Sequence, residues 1–300
     1  MIVVGVDGGQ TSTVAVVGDG DGRVLGRGAG PPADLVGESR TSDRQAQAID
    51  VAIESARHAA GLASDLVFDA IVCGLSGFEE GAASPSLRAR THSVRVVHDS
   101  EIALAGALDG GPGIVVIAGT GSVALGIDAS GGRARAGGWG FLFGDEGSAF
   151  WMARRAATLA MHRADRGEAS ALGSALLVHA ALDSLRAVQQ AFAHGELTRS
   201  TLAAFAPAIL QMARGGDIDA HLIRSDAARA LAELAARVHT RLATASERHI
   251  SYVGGLFADD LLRDTWREAV RERVPGAVIR EPLAEPVLGA MRLARATVRT

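Results

Sequence analysis

The chain has 300 residues, 48% of them hydrophobic and 21% charged, which is typical of a globular protein of about two domains and excludes a disordered or fibrous chain. Its net charge is −4, which argues against a nucleic-acid partner because proteins that bind nucleic acid carry a basic surface. The apolar stretches are too short to span a membrane and no signal-like segment follows Met1, so we expect a cytoplasmic protein without a membrane partner.

The first hundred residues predict a meander followed by alternating helix and strand. Apolar runs at residues 2–6, 13–17 and 23–27 are separated by Gly/Asp turns, which is typical of three antiparallel strands. The elements predicted next are a helix from the capping box at Ser42 and Gln45 to Gly61, a strand at 70–73, a short helical stretch near 85–91, and a strand at 94–98.

The same order of signals begins again at residue 114. A strand at 114–118, a Gly-Thr-Gly-Ser turn, a strand at 123–127 and an Asp/Gly turn repeat the first motif and predict a duplicated α/β unit. Residues 149–250 predict mostly helix, with a last strand at 250–253 and a last helix after Pro286. A turn-rich stretch at 110–113 indicates the boundary between an N-terminal lobe at 1–110, with helix 287–300 packing back on it, and a C-terminal lobe at 111–286.

Two glycine–hydroxyl turns are candidate phosphate sites, because glycines let a hairpin bring backbone N–H groups onto phosphate oxygens and a threonine adds a hydroxyl donor. Asp7, just before the first turn, is a candidate for holding Mg²⁺ through water. An ordinary turn with a solvated Asp is the alternative, and the repetition of the motif favours a pair that grips a polyphosphate. The turn residues are Gly8, Gly9 and Thr11 in the first hairpin and Gly119, Thr120 and Gly121 in the second.

Two further segments carry candidate chemistry. Asp99 ends a predicted strand and is either a general base or the cap of the following helix. Residues 137–148 combine glycines, aromatic side chains and an Asp-Glu pair, which suits a sugar site with backbone donors, carboxylates and an apolar plate. A helix N-terminus whose dipole favours acidic residues is the alternative for this segment. We expect the histidines to be structural. His98, which lies beside Asp99, is the one candidate for a functional role.

Two residue counts exclude whole classes of chemistry. Cys73 is the single cysteine, which excludes an intrachain disulfide and disfavours Cys-rich zinc or iron–sulfur sites. The chain contains no lysine, since all 30 basic residues are arginine. This excludes the phosphate loop that ends in Gly-Lys-Ser/Thr, protein-kinase chemistry with its strand lysine, and Schiff-base mechanisms. If the chain binds ATP, it must hold the phosphates without a lysine.

These motifs in this order resemble the superfamily of sugar kinases, heat-shock ATPases and actin, and within it the BadF/BadG/BcrA/BcrD-type ATPase and N-acetylglucosamine kinase group. The most specific part of the resemblance is the run from Gly138 through Ser148 followed by Trp151. The resemblance implies a duplicated actin-like, ribonuclease H-like α/β fold of two domains, with ATP and a sugar bound in an interdomain cleft.

The resemblance also implies an activity. It is the ATP- and Mg²⁺-dependent phosphorylation of an amino sugar at its 6-hydroxyl, with N-acetylglucosamine as the first candidate. Glucosamine, N-acetylmuramic acid, glucose or a non-sugar-kinase ATPase activity are the alternatives, and a homodimer is a further possibility.

Individual roles follow from the same resemblance. Asp99 matches the base that takes the proton from the sugar, Asp7 matches the acidic position associated with Mg²⁺, and Thr11 and Thr120 match positions that contact ATP phosphates. Gly254 and Gly255 match the glycine pair where the adenosine lies. The positions that match sugar contacts are Ser122, Gly138, Trp139, Gly140 and Asp145, together with Asp34, which stands where relatives usually have asparagine. Gln10 in place of a usual glycine and Val123 in place of a polar residue are further departures.

Three other classes of protein fit parts of the pattern. An activator ATPase for a radical dehydratase shares an iron–sulfur cluster between subunits and needs two cysteines per chain, whereas this chain has only Cys73. A sugar-sensing regulator needs a DNA-binding segment, for which we expect no room before the strand at residue 2. An actin-like polymer protein or a chaperone ATPase is disfavoured by the run from Gly138 through Ser148, named the Trp–Gly loop below.

Overall fold

The computed structural model describes residues 1–33, 43–78, 84–242 and 249–299. The strands are β1 (Ile2–Gly8), β2 (Thr13–Asp19), β3 (Val24–Gly30), β4 (Ala70–Leu75), β5 (Val94–His98), β6 (Gly113–Ala118), β7 (Ser122–Ile127), β8 (Arg133–Gly137), β9 (His249–Val253) and β10 (Val278–Ile279). The helices are α1 (Asp43–Ala59), α2 (Asp99–Ala107), α3 (Ala149–Asp165), α4 (Ala171–Ala180), α5 (Leu185–Ala193), α6 (Arg199–Ala203), α7 (Ala206–Arg214), α8 (Ile218–Arg241), α9 (Asp260–Arg273) and α10 (Pro286–Arg299).

The chain divides into two compact units, each built on a five-stranded sheet. The first comprises Met1–Val115 and Glu281–Thr300, and the second comprises Val116–Arg280. The strand order is β3-β2-β1-β4-β5 in the first sheet and β8-β7-β6-β9-β10 in the second. Both sheets thus arrange their third, second, first, fourth and fifth strands in the same sequence, and this repeated topology confirms the predicted duplicated α/β fold.

The first sheet is mixed, and its parallel part places three strand ends side by side. β1 pairs with β2 and β2 with β3 in antiparallel fashion, which confirms the predicted meander. β1 pairs with β4 and β4 with β5 in parallel, with Gly8 opposite Leu75 and Leu75 opposite His98. Residues that follow these three strands therefore lie next to one another at the carboxyl edge of the sheet.

Both faces of the first sheet are covered by helices, which explains why its central strands are continuous apolar runs. Val4 and Val6 of β1 pack in a buried cluster with α1, while Val3 packs on the opposite face with α2 and α10. Cys73 of β4 lies in the cluster with α1 and has no exposed surface. Burial raises the pKa of the Cys73 thiol to about 12.

The predicted helical stretch at 85–91 is wrong, because its backbone groups bond outside the segment. The carboxylate of Asp50 accepts the N–H groups of Arg88 at 3.0 Å and Ala89 at 3.2 Å. The N–H of Phe68 donates to the carbonyl of Arg90 at 2.8 Å. These bonds use groups that a helix would need for its own ladder, so the segment forms no helix.

The second unit contains elements that the sequence did not predict. Residues 149–241 are mostly helical, as expected, but β8 and the two-residue strand β10 were not foreseen. Of the earlier predictions, the cap Ser42 and the candidate sugar ligand Asp34 lie outside the described residues. Among the described helices none is long and apolar enough by itself to cross a membrane; α4 and α5 pass that test only together, with a bend of 49° between them.

Candidate active site

Acidic side chains collect at the carboxyl edge of the first sheet. Asp7 is the next-to-last residue of β1, and Asp99 follows β5 directly. Ser76 follows β4, which lies between these two strands, and its hydroxyl donates to Oδ2 of Asp99 at 2.7 Å. The structure therefore brings Asp7 and Asp99, two of the predicted site residues, to one edge, and it adds Ser76, which the sequence analysis missed.

His98 bears on one of the two interpretations of Asp99, that of a helix cap. The N-cap residue of α2 is His98, whose ring accepts from the N–H of Ser100, so the interpretation of Asp99 as the cap is wrong. Nδ1 of His98 also lies 2.7 Å from Oδ1 of Asp99 and 3.2 Å from the nitrogen of Ser100.

The two carboxylates have opposite pKa shifts. Burial raises the pKa of Asp99, but the hydrogen bonds and charge of His98 and the bond from Ser76 outweigh it, so the pKa lies below its usual value. The pKa of Asp7 rises from 3.8 to about 7, because of burial and the negative charges of Asp99 and Glu285. At neutral pH Asp99 is therefore ionised, and its side chain is 27% exposed.

The negative charges of Asp7 and Asp99 also bear on whether this edge of the sheet can bind Mg²⁺. Among the described residues no group of three or more His, Cys, Asp or Glu side chains is arranged to hold a metal ion. Mg²⁺ is usually held by one or two carboxylates with water and phosphate oxygens, so such a group is not required. Burial is the main cause of the raised pKa of Asp7, and a cation beside it would favour the ionised carboxylate and offset the added repulsion from Asp99 and Glu285, so the residues present fit the ion.

The first glycine hairpin is fixed at its base and open at its tip. The N–H of Gly9 donates to the carbonyl of Ser12 at 3.0 Å, and the carbonyl of Gly9 accepts from Ala33 at 3.1 Å. The carbonyl of Gly8 accepts from the N–H of Ser76 at 3.1 Å, which ties this hairpin to the edge that carries Asp99. Thr11 at the tip is exposed.

The second hairpin lies beside the Gly254–Gly255 pair. The N–H of Gly119 donates to the carbonyl of Gly121 at 3.0 Å. Gly254 has a φ of +117° and packs so tightly on the end of β6 that a Cβ would overlap the carbonyl of Ala118, so only glycine fits there. A Cβ on Gly119 or Gly255 would meet no atom within 4 Å. The two predicted nucleotide segments of the second unit are therefore adjacent, with open space at both.

The Trp–Gly loop follows β8 and is anchored at both ends. The N–H of Gly138 donates to the carbonyl of Ser122 at 2.9 Å, and that of Gly144 donates to Gly140 at 2.8 Å. Gly138 and Gly140 have φ values of +71° and +77°, which side-chain-bearing residues rarely adopt. Between these anchors Trp139 is 77% exposed, so its indole face is free to pack against a ligand.

Asp145 ends the loop as a buried carboxylate with a defined orientation. Its Oδ1 accepts the N–H of Ser122 at 3.2 Å, and its Oδ2 accepts Nη2 of Arg199 at 2.7 Å. Burial raises the pKa of Asp145, although Ser122 and Arg199 oppose that effect. The cap of α3 is Ser148, so the segment does lead into a helix N-terminus, with the Asp-Glu pair just before the cap and no acidic residue in the first turn.

Arg199 was missed because it lies 54 residues from Asp145, in an Arg/Ala-rich stretch without a distinguishing motif. Within the second unit the structure thus brings Ser122, Asp145 and Arg199 together. Their roles as ligand contacts stay predictions, as do those of the residues in the first unit.

The sequence identifies the class of protein to which this site belongs. Residues 4–294 match the model of the BadF/BadG/BcrA/BcrD ATPase family, and the chain belongs to that family. This confirms the resemblance drawn from the motifs. Membership of an ATPase family implies that the chain uses ATP, which agrees with the two glycine hairpins.

Individual relatives show which members of this family the chain is similar to. The chain is 27% identical to an N-acetyl-D-glucosamine kinase of Dictyostelium discoideum over 98% of this chain and 97% of the relative. It is 30% identical to an N-acetylmuramic acid/N-acetylglucosamine kinase of Clostridium acetobutylicum over 67% of this chain and 66% of the relative. The crystal structure of a proposed N-acetylglucosamine kinase from Chromobacterium violaceum superposes with a TM-score of 0.81 at 29% identity, covering 98% of each chain.

Proposed function

We propose that this protein is an ATP-dependent kinase that transfers the γ-phosphoryl group to the 6-hydroxyl of an amino sugar, with N-acetylglucosamine as its substrate. The observation that carries the proposal is Asp99, a partly exposed carboxylate with a lowered pKa at the same sheet edge as a glycine hairpin. The names of the relatives in Dictyostelium and Clostridium support the same substrate class.

Asp99 serves as the base. Its oxygens are oriented by Ser76 and His98, which leaves the ionised carboxylate able to accept the proton of a sugar hydroxyl as that oxygen attacks phosphorus. Phosphoryl transfer depends mainly on positioning and electrostatics, and this chain's own residues contribute an oriented carboxylate and fixed phosphates.

The hairpins hold the nucleotide. The turns at Gly9–Ser12 and Gly119–Gly121 present backbone N–H groups and the hydroxyls of Thr11 and Thr120 to phosphate oxygens, and Gly254–Gly255 lies against the adenosine. Asp7 would hold Mg²⁺ through water, and the ion, when bound, neutralises charge on the phosphates.

The loop binds the sugar. Asp145 accepts hydrogen bonds from sugar hydroxyls through its remaining lone pairs, and backbone groups of Gly138 and Gly140 with the hydroxyl of Ser122 add polar contacts. Trp139 packs on an apolar face of the ring. Asp34 lies outside the described residues, and we include it among the proposed sugar contacts because of the family pattern alone. A cytoplasmic location and a homodimer stay predictions.

N-acetylmuramic acid is a second candidate substrate. The observation that favours it is the name of the Clostridium relative, which joins both sugars. Glucosamine and glucose remain alternatives because they carry the same 6-hydroxyl.

A coupled assay of ADP release tests the proposal across N-acetylglucosamine, N-acetylmuramic acid, glucosamine and glucose. We expect release that depends on sugar and Mg²⁺, with kcat/KM highest for N-acetylglucosamine, and mass spectrometry should show a sugar 6-phosphate. A highest value for N-acetylmuramic acid would select the second candidate. ADP release that is equal with and without every sugar would overturn the kinase assignment and favour an ATPase that is not a sugar kinase.

A further inference from the structure

Arg199, a residue of the second unit, places a positive charge against the candidate sugar ligand Asp145. Its Nη2 donates to Oδ2 of Asp145 at 2.7 Å, and the two side chains are 12% and 5% exposed. Asp145 itself has a φ of +60°, a conformation that is uncommon for residues other than glycine. A buried carboxylate on a strained backbone needs partners that define one orientation, and Arg199 is the only cation among the described residues that bonds to it directly.

The guanidinium is itself fixed by packing. It lies 5.5 Å from the ring centroid of Phe141 in the loop and 5.8 Å from that of Phe150 in α3, and these two rings meet edge to face at 5.4 Å. The Nε of Arg199 is buried and has no hydrogen-bond partner in the described part of the chain. The polar contacts of this side chain therefore centre on Asp145, while the aromatic rings set its angle.

The pair also touches the second glycine hairpin. A Cβ on Gly121 would lie 2.9 Å from Nη2 of Arg199 and 3.0 Å from Oδ1 of Asp145, so the turn reaches this pair only because residue 121 has no side chain. Arg199 therefore packs where the hairpin, the loop and Asp145 meet, and a change in its position moves the carboxylate.

The charges around Asp145 agree with this geometry. Burial raises the pKa of Asp145 and Glu146 adds to that effect, whereas the Ser122 N–H, Arg199 and Arg154 of α3 lower it. Loss of the cation would raise the pKa further and favour a protonated carboxyl, which accepts hydrogen bonds less strongly than a carboxylate.

We propose that Arg199 is a positioning residue for sugar binding, which fixes the Asp145 carboxylate in the orientation that accepts the sugar hydroxyls. The proposal rests on the proposed function, since it assigns Asp145 to the sugar. Arg199 acts through Asp145 and does not touch the reacting atoms. Its loss should therefore weaken sugar binding and leave the transfer step itself nearly intact.

The test compares wild type with Arg199→Met, Arg199→Lys, Asp145→Asn and the double variant Arg199→Met/Asp145→Asn, each with its melting temperature. For Arg199→Met we expect the KM for the sugar to rise by about 10-fold or more, with kcat within about twofold and the KM for ATP unchanged. Arg199→Lys should restore part of the affinity, because it returns a cation without the planar group that packs on the rings. Arg163→Met, which removes the 2.7 Å ion pair with Asp219 elsewhere in the unit, is the matched control and should leave both KM values unchanged.

Two further readouts separate positioning from a general structural role. In the Asp145→Asn background, Arg199→Met should add little to the sugar KM, because its effect passes through the carboxylate. The dissociation constant of the sugar, followed by tryptophan fluorescence, should rise more steeply at low pH in Arg199→Met than in wild type.

The outcomes distinguish this proposal from the function on which it rests. A wild-type protein without sugar-dependent ADP release overturns both. An active wild type overturns the positioning role alone if Arg199→Met leaves the sugar KM within twofold, if it lowers kcat at unchanged KM, or if the two substitutions are additive. A variant that fails to melt cooperatively is replaced by Arg199→Lys, for which an unchanged sugar KM together with an unchanged pH profile overturns the proposal.

Discussion

At the scale of single residues, the carboxylate of Asp99 has one partner on each oxygen. Oδ2 accepts from Ser76, at the end of β4, and Oδ1 lies against Nδ1 of His98, at the end of β5. A hydrogen bond on one oxygen and a close ionic contact on the other orient the carboxylate before any substrate binds. Such preorganisation reduces the reorientation that a base needs at the moment of proton transfer.

The substitution Asp99→Asn should remove most of the phosphotransfer while preserving the fold. Asparagine has nearly the same shape but cannot accept the proton, and loss of a general base typically costs about 10²–10⁴-fold in rate. Steady-state kcat for ADP release, with melting temperature as the check on folding, measures the effect. Glu101→Gln, two residues further along α2, is the control and should retain wild-type turnover. A fully folded Asp99→Asn with more than half of the wild-type kcat would remove Asp99 from the role of base.

The positions of Asp7 and Asp99 could be predicted from the sequence, whereas Arg199 could not. Each of the two aspartates terminates an apolar run, and the carboxyl ends of parallel strands meet at one edge of a sheet. Arg199 becomes adjacent to Asp145 only through the packing of α6 and α3, and one arginine among 30 basic residues carries no local signal of that contact.

At the scale of secondary-structure elements, the second hairpin has two sides. Gly119 faces open space, whereas Gly121 faces Arg199 and Asp145. The same turn therefore contributes to two regions of the proposed site: a phosphate-facing side at residue 119 and a sugar-facing side at residue 121. A single methyl group added at either position probes one region at a time.

The substitutions Gly121→Ala and Gly119→Ala should consequently have different effects. A methyl group at 121 meets Nη2 of Arg199 at 2.9 Å, so the pair must shift, at a cost of about 1–3 kcal/mol that appears as a raised sugar KM. A methyl group at 119 meets no protein atom, so the melting temperature should be unchanged and the KM for ATP should rise as the methyl group crowds the phosphates. Equal effects of both variants on both KM values would contradict this division.

The sequence predicted elements with strong apolar periodicity and missed those without it. β8 alternates arginine and alanine, and its buried Ala134 and Ala136 are too small to mark a hydrophobic face. In the segment at 85–91, which we predicted to be helical, the carboxylate of Asp50, distant in sequence, binds the backbone N–H groups of Arg88 and Ala89. In both cases tertiary contacts decide the structure, and local sequence does not encode them.

At the scale of the whole molecule, Asp7 couples the stability of the chain to pH. In the unfolded chain its pKa is near 3.8, and in the folded chain it is about 7. Below pH 4 the carboxyl is protonated in both states and contributes nothing. Between pH 4 and pH 7 the folded state binds more protons, so this contribution to the free energy of unfolding falls as pH rises and stays low above pH 7.

The variant Asp7→Asn should therefore gain stability relative to wild type as the pH rises. We expect the difference in free energy of unfolding between variant and wild type to increase by about 2–4 kcal/mol from pH 4.5 to pH 8 without nucleotide or Mg²⁺. Urea denaturation at several pH values measures it. A difference that is constant across this range would show that Asp7 does not titrate near neutrality in the folded protein.

The burial of Cys73 between β4 and α1 has a consequence for covalent chemistry on this protein. The one thiol has no exposed surface and a pKa of about 12, and the chain contains no lysine amine. Reagents that attack thiolates or lysine amines thus find no side chain to modify while the fold is intact. A cysteine introduced at Phe143, which is 85% exposed in the Trp–Gly loop, would be the single accessible thiol. Any fluorophore or spin label coupled there would report from one known place in the molecule.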